Sequence, residues 1–162
     1  MKNYSIEFKW AAISTVLAIA WMYLEKTLGY HDEKIGTQVL FTNLFSLVLI
    51  AVFIMALKEK KKNFFNSIIT WKQAFISGII LTLMITIFFP LVQYITYTQI
   101  SPDFFTKLIA VISAKGSMSV ETASTYFSFD NYLKQGAYNN LSLGVVTAAA
   151  VAYFIQTKSL KK

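Results

Sequence analysis

A chain of 162 residues in which 56% are hydrophobic and 14% charged lies outside the range of soluble domains, which are roughly 45–50% apolar and about 25% charged. Its net charge of +7 comes from lysine alone, so bidentate guanidinium recognition of phosphate is excluded and nucleic acid is not the expected partner. No cysteine is present, which excludes disulfides and thiolate chemistry, and the single His31 cannot build a multi-histidine metal site.

A hydrocarbon core of roughly 30 Å needs about 20 apolar residues to cross it. The first such stretch is WAAISTVLAIAWMYL, extended to residue 28, giving a span over about 10–28. Ala18-Ile19-Ala20 imitates a leader cleavage site, but apolar character continues past it, so a retained span is expected. Glu25 and Lys26 fall at its far end and read as an interfacial anchor, with Lys26 snorkelling. Tyr30-His31-Asp32-Glu33 follows and reads as an exposed polar loop; weak metal binding or base chemistry is the alternative.

The second span, about 37–57, contains Asn43 but no charge. A lysine-rich loop, 58–73, carries Lys58, Lys60, Lys61 and Lys62, expected to set topology and to touch anionic lipid. The third span, about 74–97, holds Gly78, Thr82 and Thr86 at four-residue spacing and then Pro90 and Gln93. Pro90 removes a backbone hydrogen bond and predicts a bend. A pocket beside Pro90, Gln93 and Asn43 is the alternative to a simple bent exit, and Tyr94 and Tyr97 read as an interfacial aromatic belt.

Residues 98–136 are too many for a structureless connector. Ser101-Pro102-Asp103 reads as a helix start, with Ser101 as cap and Pro102 in the first turn. Phe104, Phe105, Leu108, Ile109 and Ile112 share one helical face, and Gly116 suits the stop, which predicts an amphipathic helix over 102–114. A second, wetter helix is expected over about 119–135. Together they form an outward hairpin that either caps the bundle or docks a partner. The fourth span, about 137–155, carries a stripe of Gly136, Asn140, Gly144, Ala148 and Ala152, which permits close helix packing inside the chain or against another subunit.

Lys2, Lys9, Lys58, Lys60, Lys61, Lys62, Lys72, Lys158, Lys161 and Lys162 fall on one side of four spans. The other side has five lysines offset by six acids. The positive-inside bias then places both termini in the cytoplasm, in a bacterial inner membrane. The expected fold is all-α: a single integral membrane domain of four transmembrane helices.

No Walker loop, HExxH or GxSxG is present, no ionisable residue falls in the middle of a span, and no catalytic residue, metal site or cofactor is assigned. The four-span layout, the lysine-rich central loop and the Ile100–Phe105 segment ISPDFF resemble a family of small bacterial membrane proteins known as domain of unknown function four-one-nine-nine. The resemblance covers Tyr4 to about Ile155. It implies a four-helix inner-membrane protein without an established activity, whose genes often neighbour a membrane-associated glycosyltransferase. A polyprenyl-phosphate sugar enzyme is therefore an implied partner by association only. The expected function is a non-enzymatic accessory protein or subunit, contacting membrane lipids and docking another integral membrane protein or itself. The alternative is a small transporter, channel or lipid-binding protein using the Pro90–Gln93 kink.

Overall fold

The computed structural model describes residues 4–157, so Lys2, Lys158, Lys161 and Lys162 of the topology argument lie outside the described residues. Regular structure among the described residues is helical throughout: α1 (Ser5–Thr27), α2 (Gln38–Asn43), α3 (Phe45–Asn63), α4 (Trp71–Ile95), α5 (Phe104–Ala114), α6 (Val120–Tyr126) and α7 (Phe129–Ile155). A 3-10 turn, Ile35–Thr37, leads into α2, and a π-turn, Thr96–Ile100, ends α4. Four stretches are long and apolar enough to cross a membrane: residues 5–27, 35–63, 71–100 and 129–155. The protein is therefore a multi-pass, all-helical membrane protein.

Helix ends follow local chemistry. Gly29 takes φ +83° after α1; its N–H bonds the Lys26 carbonyl and that of Tyr30 bonds the Glu25 carbonyl. Gly116, φ +70°, ends α5 in the same way, with Gly116 N–H on Ser113 and Ser117 N–H on Ile112. This glycine-dependent stop reverses the chain and satisfies the last carbonyls of each helix.

Several boundaries differ from the sequence reading. The second span extends to Asn63, so Lys58, Lys60, Lys61 and Lys62 belong to helix and the connecting loop shrinks to 64–70. Lysine and glutamate are good helix formers, and cations suit a helix C-terminus, so LKEKKKN prolongs α3. The expected hairpin helix over 102–114 begins only at Phe104, because the Ser101 hydroxyl is engaged elsewhere and Asp103 occupies the cap position without a side-chain cap bond. The expected helix over 119–135 is divided. Ser119 caps the short α6 through Thr122 N–H, the chain breaks at Phe127, and residues from Phe129 onward already belong to α7. The fourth membrane helix thus starts eight residues before its apolar stretch, since an α-helix satisfies its own backbone whatever its side chains.

The described residues fall into two compact units. Residues 4–14, 47–88 and 138–157 form the first, with a core of Ala11, Phe53, Leu57, Ile69, Leu81 and Ala148 among others. Its loop is clipped by Thr157, whose N–H bonds the Ile69 carbonyl while its hydroxyl accepts from the Ile69 N–H. Residues 15–46 and 89–137 form the second, around Ile35, Phe104 and Leu108 with Tyr97, Phe105 and Tyr132 packed on them.

Candidate functional site

Each unit buries a glutamate, and the two are stabilised differently. In the first unit Glu7, in the first turn of α1, is 1% exposed. Lys60 of α3 reaches it from 2.9 and 3.1 Å, one distance to each carboxylate oxygen, and the Ser77 hydroxyl of α4 donates from 2.5 Å. Lys60 and Ser77 are each 4% exposed. The Lys60 ammonium also lies 4.3 Å from the Phe64 ring centre and 5.8 Å from that of Tyr4.

These side chains line a cavity of about 160 Å³ whose walls include Tyr4, Phe64, Phe65, Gln73, Ile76 and Ile80. Tyr4, Phe64, Gln73 and Ile76 are exposed, so the cavity reaches the surface on their side. Ile76, Leu83 and Ile87 are also exposed, an apolar stripe along α4 leading away from the cavity.

In the second unit the fully buried Glu25 is caged by four donors. Trp21 Nε1 and the Thr42 hydroxyl reach Oε1, both at 2.8 Å; Gln38 Nε2 at 2.9 Å and His31 Nε2 at 3.2 Å reach Oε2. The other hydrogen of the Gln38 amide bonds Thr42 at 2.6 Å. With Nε2 donating, His31 Nδ1 is left to accept from the Ser101 hydroxyl at 2.6 Å. The spacing Trp21–Glu25 and Gln38–Thr42 puts each pair on one helix face, and the Gly29 reversal brings His31 back onto the α1 end. Phe104 closes the other side, its ring edge-on to the imidazole with centroids 5.2 Å apart.

Beside this cage, Asp32 bridges Lys107 and Lys26 at 2.5 and 2.8 Å. The hydrogen bond from Lys107, followed by that from Lys26, holds the Asp32 carboxyl down at about 2.

Two expectations are corrected here. Glu25 is a buried acceptor and not an interfacial anchor, although Lys26 is partly exposed. His31 is 1% exposed, so the Tyr30–Glu33 loop is not simply a solvated turn; only Glu33 of the four is exposed. The physical reason is of one kind for both: four donors around Glu25, and Glu25 with Ser101 around His31, replace the water that each polar group would otherwise require.

The remaining sequence-nominated residues are distributed as follows. Within the first unit, Gly78 lies against Ala148 and Gly144 against Thr82, closely enough that a Cβ on either glycine would overlap its neighbour. Ala152 is in the core, Asn140 is half-buried, and Thr82 and Thr86 turn their hydroxyls back to carbonyls of α4. Within the second unit, Gly136 meets the Phe89 ring, Pro90 and Asn43 are exposed, and Gln93 is buried.

Phe104 and Leu108 are buried, while Phe105, Ile109 and Ile112 are half-buried. Tyr97 is also half-buried, its ring tilted against Phe104 and Phe105 and edge-on to Tyr132 instead of standing at an aromatic belt; Tyr94 is exposed. Among the four lysines assigned to lipid, Lys58 and Lys62 are exposed. Lys60 points inward to Glu7, and Lys61 donates to the Ile155 carbonyl.

Sequence reasoning missed Glu7 and the inward pairing of Lys60 with it. A signal was present: Glu7 and Glu59 are the only acids on the lysine-rich side of the topology, and both hold partners, Glu59 from Lys9 and Trp10.

The model of a family described as "Protein of unknown function (DUF4199)" matches residues 9–157. No curated protein and no solved structure matches the chain.

Proposed function

The chain belongs to this DUF4199 family of unknown function, and from that premise we propose that it is a non-enzymatic membrane protein that binds a lipid headgroup in the Glu7–Lys60 cavity. The observation that carries this reading is a cavity walled by a buried ion pair and continued by an exposed apolar stripe on α4. Ionised groups buried in a membrane bundle are costly and mark functional sites by default. A polar recess leading into a lipid-facing stripe is the shape that a headgroup followed by acyl chains requires. The lysine-rich end belongs on the cytoplasmic side of the inner membrane by the positive-inside rule, so the ligand would come from the inner leaflet.

One further consideration favours this over the other readings. The accessory-subunit reading leaned on the small-residue stripe and the outward helix. Gly78, Gly144 and Gly136 are filled by side chains of the same chain, and Phe104 and Leu108 are covered within their own unit.

The test is extraction in mild detergent followed by native mass spectrometry. A stoichiometric phospholipid that survives purification supports the proposal. Lipid-free protein recovered with an integral membrane partner, such as a polyprenyl-phosphate sugar enzyme, returns the function to docking.

A further inference from the structure

Resting on that reading, we infer that the cavity selects a zwitterionic headgroup carrying a phosphate and a primary ammonium, an aminoalkyl phosphate. Among the described residues the charged groups lining the cavity are one carboxylate and one ammonium, paired with each other, so their charges cancel. A purely anionic headgroup drawn to Lys60 would bring its negative charge up to Glu7. A purely cationic one drawn to Glu7 would meet Lys60. Either leaves an uncompensated charge in a poorly hydrated recess, the costly condition for buried ions.

A zwitterion avoids both. Its phosphate takes the Lys60 ammonium and its ammonium takes the Glu7 carboxylate, so one ion pair is exchanged for two and the net charge stays zero. Ser77 keeps its bond to Glu7 throughout. The ring faces of Phe64 and Tyr4, which already attend the Lys60 ammonium, suit a second cation. A primary ammonium is favoured over a quaternary one because only the former donates hydrogen bonds to a carboxylate, and charge-assisted bonds are the stronger class. The acyl chains would follow Ile76, Ile80, Leu83 and Ile87 along α4.

Exposed Lys58 and Lys62 do not alter this argument. Solvated lysines attract an anionic leaflet in general, whereas selection inside the cavity is governed by the Glu7–Lys60 pair.

The experiment uses delipidated full-length protein in detergent and measures binding by melting shift and native mass spectrometry. The probes share one pair of acyl chains and differ only in headgroup: ethanolamine phosphate, choline phosphate or glycerol phosphate. Water-soluble phosphoethanolamine serves as a chain-free control. The expected result is that the ethanolamine lipid binds roughly 10–100-fold more tightly than the glycerol lipid, the equivalent of one or two charge-assisted bonds. In Glu7→Gln/Lys60→Gln, which removes both charges together, that preference should vanish.

Equal or tighter binding of the anionic glycerol lipid overturns the zwitterion inference and leaves lipid binding intact. Absence of a shift with every lipid overturns the proposed function itself. A full shift from phosphoethanolamine alone keeps the headgroup class and overturns a lipid as its source. The headgroup series on the unaltered protein decides between these outcomes even where the double variant folds poorly.

Discussion

The two compact units solve the same problem, a carboxylate removed from water, with different chemistry. In the first, Glu7 faces a formal counter-charge, Lys60, with one hydroxyl in support. In the second, Glu25 faces four hydrogen-bond donors: an indole, an amide, a hydroxyl and an imidazole. A paired charge is compensated as a unit and can be exchanged for another pair, which makes the first site suited to a ligand. A caged charge is held by donors from several segments at once, so the second site is suited to fixing structure. It joins the end of α1, the His31 loop, α2 and the entry to α5.

The sharpest way to break this comparison is to remove both carboxylates and ask which loss is tolerated. Glu25→Leu removes the shared acceptor of four donors, of which His31 and Gln38 are buried, and a buried donor left without a partner costs about 1–3 kcal/mol. The expected loss is about 2 kcal/mol or more, read as a large drop in melting temperature in detergent, with faster hydrogen exchange at Phe104 and its neighbours. Glu7→Leu/Lys60→Met removes a whole ion pair in favour of apolar groups, a change that is often neutral or stabilising. Ser77 can turn its hydroxyl to the carbonyl four residues back, so a change within about 1 kcal/mol is expected. Equal losses in the two variants would end the distinction between caged and paired charge.

The units also differ in how their glycines close the helix contacts. Gly144 faces Thr82, whose β-branched side chain is held at χ1, whereas Gly136 faces the far edge of the Phe89 ring. Gly144→Leu should therefore cost about 1–3 kcal/mol, the usual range for overpacking, and Gly136→Leu distinctly less because the ring can swing aside. Melting curves of the two variants in one detergent measure the difference. A Gly136→Leu loss as large as that of Gly144→Leu would show that ring mobility does not relieve the contact.

How much of this was legible in the sequence follows the same division. Spans and their number are set by apolar runs, which carry through into α1, α3, α4 and α7 because burial in lipid acts on each residue independently. Gly116 as the end of α5 was legible too, since a local φ requirement needs no knowledge of the rest of the fold. What escaped is what depends on residues far apart in the chain. Glu7 and Lys60 are 53 positions apart and His31 and Ser101 are 70 apart, so each residue alone reads as a surface group. Ser101 is the clearest case: its sequence context predicts a cap, but a histidine from another segment takes its hydroxyl. The helix then starts two residues later than the cap reading implies.

Asp32 gives the finest contrast, because it is a third carboxylate on the same loop as His31 that remains about one-third exposed. Lys107 and Lys26 hold its carboxyl at about 2, against an ordinary value of 3.8. A folded-state value below the unfolded one stabilises the fold above the unfolded value and is lost as pH falls through the folded one. The contribution of Asp32 should thus be complete above about pH 4 and gone near pH 2. Solvent screening at this exposure keeps it to about 1 kcal/mol or less. Asp32→Asn should lower the melting temperature slightly at neutral pH, and the gap to the unaltered protein should close between about pH 4 and pH 2. Raising the salt concentration should narrow the gap as well, since exposed pairs are screened. A gap that persists below pH 2, or that ignores salt, would mean that Asp32 acts as Glu25 does, through buried geometry instead of solvated charge.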